Sequence, residues 1–139
     1  ATILLHFDAV FIAPNAKIKY PFSDLGLAPE VGSSFLLFQS LGYQQAAQLL
    51  FESQPIDGNR YHELGLAKYV GEDFFDEANK YAHMLKEQSL SSIIETKAIL
   101  KSFMQEDLAK SRSMETAAMK KLFGSEDNIK AVEKFFAKK

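Results

Sequence analysis

The sequence predicts an α/β chain in which strand and helix alternate over residues 1–71 and helices alone fill 72–139. Short β-branched and aromatic runs closed by Pro or Gly recur only before residue 71, and from Glu72 onward the apolar residues follow helical spacing. With 47% hydrophobic and 24% charged residues, 4 Pro and 7 Gly, there is apolar material for one compact unit. That composition excludes a disordered or collagen-like chain.

The elements follow in order. Ala1-Thr-Ile-Leu-Leu-His-Phe7 runs directly into the next apolar segment without an N-cap or polar leader, and reads as a chain entered in mid-element. Asp8–Ala13, ended by Pro14-Asn15, has the pattern of a strand buried on both faces. Lys17–Tyr20 alternates, as a shorter and half-exposed strand would. Residues 21–32 form a loop of turn formers, and Ser33-Ser34 opens one apolar helix to about Phe51. Gln54–Asn59 turns, Arg60–Leu64 is a short helix stopped by Gly65, and Ala67–Val70 is a strand closed by Gly71. Helices are predicted over Asp73–Gln88, Ser91–Phe103, Met104–Phe123 and Glu126–Lys139, with Gly124-Ser125 dividing the last two.

Charge narrows the function classes. With 16 basic and 18 acidic residues the net charge is -2, so the chain lacks the uniform cationic surface of a nucleic-acid binder. The C-terminal part is nonetheless basic, since residues 86–139 hold 11 basic and 8 acidic side chains against 5 and 10 in residues 1–85. The absence of Cys removes disulfides, thiolate metal sites and thiol nucleophiles. No apolar run approaches the ~20 residues of a membrane-spanning helix, so no membrane partner is expected.

Gly-x-Gly-x-x-Gly, Walker, Gly-x-Ser-x-Gly and His-Glu-x-x-His motifs are missing. His6, His62 and His83 share no ligand spacing and read as core or surface histidines; no metal site is predicted. His62-Glu63 reads as surface decoration. Glu30 is different. It follows Pro29, precedes Val31-Gly32-Ser33-Ser34, and stands at the mouth of an apolar helix whose dipole favours its charge. Apolar neighbours such as Phe22, Leu27 and Phe35 can oppose that by desolvation. The position can suit a base that abstracts a proton beside a carbonyl, while spacing alone favours an ordinary helix-capping glutamate.

Three segments carry a resemblance: Phe7-Asp-Ala-Val-Phe-Ile-Ala13, Tyr20-Pro-Phe-Ser-Asp-Leu-Gly-Leu-Ala-Pro-Glu-Val-Gly-Ser-Ser34, and Gly58-Asn-Arg-Tyr-His-Glu-Leu-Gly-Leu-Ala67. Together with Leu122–Asp127 and Ala131–Lys139, they resemble the enoyl-CoA hydratase/isomerase (crotonase) superfamily across essentially all 139 residues. The middle segment is similar to the Δ3,Δ2-enoyl-CoA isomerases. The resemblance implies the C-terminal part of a crotonase-like β-β-α spiral (1–71) followed by an all-helical trimerisation region (72–139). It further implies that the chain is the C-terminal half of such a protein, inactive and prone to associate by itself, with Phe11, Leu36, Leu37 and Leu50 short of partners. Both oxyanion-hole N–H groups would belong to the other half, the second just before Ala1.

By the same resemblance, Glu30 is the single catalytic acid/base that shifts a double bond from position 3 to position 2 of an enoyl-CoA. The two glutamates of the hydratases correspond to Thr2 and Phe22, which cannot move protons. Phe22 and Leu27 would line the acyl pocket, and Phe135 and Lys138 would meet the adenine and phosphates of CoA. The implied partner is an acyl-CoA thioester, with no cofactor beyond that coenzyme A and with a homotrimer or dimer of trimers as the full-length assembly. A hydratase-like member and a catalytically silent acyl-CoA or protein-binding module of the same fold stay open. The ending Ala-Lys-Lys is not a Ser-Lys-Leu type signal, which favours a bacterial cytoplasm over a peroxisome.

Overall fold

The computed structural model describes residues 1–137. Lys138, assigned to CoA phosphates by resemblance, lies outside the described residues. The chain opens with a 3₁₀ helix, Thr2–His6, that buries none of its own residues. Strand β1, Phe11–Ile12, pairs in parallel with β2, Tyr69–Val70, in the register Phe11 to Tyr69 and Ile12 to Val70. The predicted strand Asp8–Ala13 is thus shortened to two residues. Only β2 lies beside it among the described residues, and a strand extends only as far as it finds a ladder partner. Lys17–Tyr20 is likewise not a strand. Ile18 makes one antiparallel bridge to Ile56, with both N–H to O distances at 2.9 Å, while the buried side chains of Ile18 and Tyr20 keep the expected alternation.

The helix predicted from Ser33 to Phe51 is two helices, α1 (Ser33–Leu41) and α2 (Tyr43–Glu52). The break is at Gly42, whose φ of 74° is left-handed and whose N–H closes α1 on the Phe38 carbonyl at 2.8 Å. Helix α3, Gly58–Glu63, starts where the Asp57 carboxylate accepts the Arg60 N–H at 2.8 Å. Beyond β2 the described elements are α4 (Phe74–Lys86), α5 (Leu90–Ser102), α6 (Gln105–Leu122) and α7 (Glu126–Ala137).

The core is built by the first half of the chain: Val10, Ile12, Ile18, Tyr20, Phe22, Leu37, Ala46, Tyr61 and Ala67 are buried together. Leu36 and Leu37 are covered within this chain, contrary to the expectation that they lack partners, and Phe11 is half-buried against the rings of Tyr69 and Tyr81. The later helices contribute little apolar burial. Helices α4 and α5 bury no residue fully, while α6 and α7 each bury one polar residue, Glu115 and Asn128. Those two side chains attach the later helices to the loop that precedes α1.

Candidate active site

Residues 21–34 are an irregular segment whose backbone polar groups need partners from elsewhere. A short 3₁₀ turn, Ser23–Leu25, ends at Gly26 in the left-handed region. Asn128 on α7 donates from Nδ2 to the Leu25 carbonyl at 2.6 Å, and a side chain on Gly26 would run into the Asn128 backbone at 2.9 Å. Gly26 is therefore fixed both by its φ and by the close approach of α7.

Glu30 lies in the last turn before α1. Its carbonyl accepts the Ser33 N–H at 3.0 Å, and its side chain is exposed. Val31 follows with φ 59°, a conformation that strains a β-branched residue, and Gly32 continues it with φ 76°. Such strain persists only where surrounding contacts enforce it. Two do so here. His6 Nε2 lies 2.8 Å from the Val31 carbonyl, so that ring nitrogen carries the proton and donates. Glu115 accepts the Gly32 N–H on Oε2 at 2.6 Å and the Ser34 N–H on Oε1 at 2.9 Å.

Glu115 thereby caps α1 from another helix. Gly32, at the N-cap position, has no side chain to do so. Ser34 Oγ also donates to Glu115 Oε1 at 2.6 Å, and Ser111 Oγ lies 2.9 Å from Ser34 Oγ. Glu115 is buried at 6% exposure, and its carboxylate is satisfied by two backbone N–H groups and the hydroxyls of Ser34 and Ser111, the condition under which a buried anion is tolerated. The sequence leaves two readings for Glu30, helix cap or reactive base. The cap belongs to Glu115, and among the described residues no hydrogen bond or ion pair engages the Glu30 carboxylate.

The other expected site residues are spread out. Phe22 belongs to the core, 7% exposed, and its carbonyl accepts the Leu25 and Leu27 N–H groups. Leu27 is half-buried in the same loop. Phe135 lies on α7, half-buried, with the Lys19 ammonium 5.7 Å above its ring and the Phe136 ring edge-on at 5.6 Å. Thr2 is on the opening 3₁₀ helix. His62 and His83 each bond a backbone carbonyl, of Ala67 and Asn79, and Glu63 pairs with Arg60 at 3.0 Å. Among the described residues no three His, Asp or Glu side chains group as metal ligands, and no helix is long and apolar enough to cross a membrane.

Glu115, His6 and Asn128 are the residues that sequence reasoning missed. His6 sits 25 positions from its acceptor and Glu115 more than 80 from its donors, so no local pattern marks either.

The family model described as enoyl-CoA hydratase/isomerase matches residues 1–139. The peroxisomal enoyl-CoA delta isomerase 3 of Mus musculus is 26% identical over 140 residues, covering 99% of this chain and 44% of its own. The short-chain-enoyl-CoA hydratase of Clostridium acetobutylicum is 25% identical over 139 residues, covering 99% and 53%. The crystal structure of an enoyl-CoA hydratase/isomerase from Pseudoalteromonas atlantica superposes with a TM-score of 0.91 at 26% identity, covering 99% of this chain and 56% of that one. The chain spans about half the length of the curated relatives it matches.

Proposed function

The chain belongs to the enoyl-CoA hydratase/isomerase family, and we propose that, in the full polypeptide in which it occurs, it serves a 3-enoyl-CoA to 2-enoyl-CoA isomerase with Glu30 as the base. Its fold is crotonase-like, a small parallel sheet and packed helices leading into an all-helical C-terminal region. Relatives named as hydratases and as isomerases are equally similar, so the choice between the two reactions rests on the residues.

One observation carries the reading. The Glu30 carboxylate is exposed and unpaired among the described residues, on a turn whose backbone is held by other residues. A group that must first take and then return a proton is best left without a competing partner and on a rigid support. In the proposed reaction Glu30 takes a proton from C2 of the 3-enoyl thioester, and negative charge moves onto the thioester oxygen of a dienolate. The protonated Glu30 then delivers the same proton to C4, and the double bond moves to positions 2 and 3. Proton count and charge are restored, and no group beyond the substrate's own coenzyme A enters.

A hydratase needs a second carboxyl to handle water. The positions that correspond by resemblance hold Thr2 and Phe22, and Phe22 supplies only an apolar ring. We assign the acyl chain to the neighbourhood of Phe22 and Leu27, and the nucleotide end of CoA to Phe135 and Lys138. A trimer, or a dimer of trimers, is the proposed assembly.

The test uses the full polypeptide with 3-hexenoyl-CoA, followed as the conjugated 2-enoyl product, and with crotonyl-CoA, followed as loss of conjugation. Turnover of the first with little hydration of the second is expected. Hydration at a comparable rate would assign the chain to the hydratases, and no turnover of either would assign it to the silent members of the fold.

A further inference from the structure

We infer that Glu115 and His6 are positioning residues that together hold the strained turn Glu30-Val31-Gly32 and so aim the Glu30 carboxylate; the inference rests on Glu30 being the base. The turn is unfavourable by itself. A β-branched residue at φ 59° followed by Gly32 at φ 76° is strained, and an unsupported segment would relax to negative φ. Relaxation would rotate the peptide that follows Glu30 and redirect its side chain. The opposing constraint is bilateral. Glu115 takes the N–H groups on the helix side of Val31, from Gly32 and Ser34, and His6 takes the Val31 carbonyl itself.

The two restraints differ in origin and converge on Val31, Gly32 and Ser34. Glu115 arrives from α6 and stays buried, with Ser111 and Ser34 orienting its carboxylate. His6 arrives from the opening 3₁₀ helix, with its bond at the surface. Gly32 is pressed from the same side as Glu115, since an added Cβ would stand 2.3 Å from Leu108 Cδ1 on α6. A displacement of Glu30 by about 1 Å is enough to lower a proton-transfer rate about 100-fold while leaving remote substrate contacts intact. The clamp should therefore be read in kcat and not in KM.

The experiment is a double-mutant cycle on the full polypeptide with 3-hexenoyl-CoA. Glu115→Gln keeps the volume but turns an N–H donor toward one of the two amides; His6→Ala removes the surface bond to Val31 and leaves Leu4 and Leu5 to pack the opening helix against the core. Each is expected to lower kcat at least about tenfold with KM within about twofold. Neither should lower the residual turnover of Glu30→Gln further, because both act through Glu30. Amide exchange at Gly32 and Ser34 should rise in both variants, a readout that needs no substrate. Wild-type kcat in either variant, or the same fractional loss with and without Glu30, overturns the clamp. Should Glu115→Gln fail to fold, His6→Ala decides alone. Retained turnover in Glu30→Gln would instead overturn the isomerase reading, an outcome distinct from failure of the clamp.

Discussion

A Cβ built on Gly58 would stand 2.0 Å from the carbonyl oxygen of Ala13. The two backbones touch because the Gly58 N–H donates to the Pro14 carbonyl at 3.0 Å, tying the first turn of α3 to the end of β1. The contact is with backbone, so no side chain can swing aside. Gly58→Ala is expected to destabilise the chain by about 1–3 kcal/mol, the range for overpacking a tight contact. Gly65→Ala is the control, since only its positive φ opposes a side chain and open space surrounds it. Urea midpoints should fall clearly further for Gly58→Ala; equal shifts would mean that the loop and helix can separate freely.

Buried phenols give a second prediction. Tyr20 and Tyr61 are fully buried, and burial pushes both hydroxyls above the ordinary tyrosine range. Tyr69 is different, because its hydroxyl donates to Asp73 Oδ1 at 2.6 Å and is pushed up to about 12 by that carboxylate. A raised folded-state pKa favours the neutral form in the native chain. Its stabilisation is complete below the unfolded value near pH ~10 and is lost as pH climbs above it. In a titration at 295 nm, two of the five tyrosines should therefore ionise only as far-UV dichroism is lost. Reversible ionisation of all five with native dichroism would contradict the burial.

The later helices leave a large apolar surface. Phe75, Leu90, Ile94, Ile99, Leu100 and Phe103, on and beside α4 and α5, are all more than half exposed. Leu90 and Ile94 are one helical turn apart while Ile99 and Phe103 fall on the opposite side of α5, and this much exposed apolar surface marks a helix that another molecule covers. Light scattering on the 139-residue chain should give a mass above 15.6 kDa, and Ile94→Glu combined with Phe103→Glu should lower it. A monodisperse monomer at tens of micromolar would show that these side chains stay in water.

Much of the architecture was legible because it follows local patterns. The helices from Phe74 onward fall close to the segments predicted for them, and Gly65 stops α3 as glycine does in a left-handed cap. Strand lengths were not legible, since Asp8–Ala13 has strand chemistry throughout but only Phe11–Ile12 finds a neighbour. Nor was the break at Gly42, where both flanks continue the same apolar pattern. Glu30 stood out by its place before a helix. Glu115 did not, because a glutamate amid Lys110, Ser111 and Arg112 has the composition of a solvated helix face. Its role exists only when α6 meets α1.

Glu30 is the proposed carrier of the proton. The most direct test of that role is kcat of Glu30→Gln for 3-hexenoyl-CoA in the full polypeptide, with thermal stability measured on the same preparation. Glutamine keeps the volume and the surrounding turn but cannot accept the proton, so kcat should fall by about 10²–10⁴-fold with an unchanged melting temperature. Turnover near the wild-type rate in a folded Glu30→Gln protein would contradict the account.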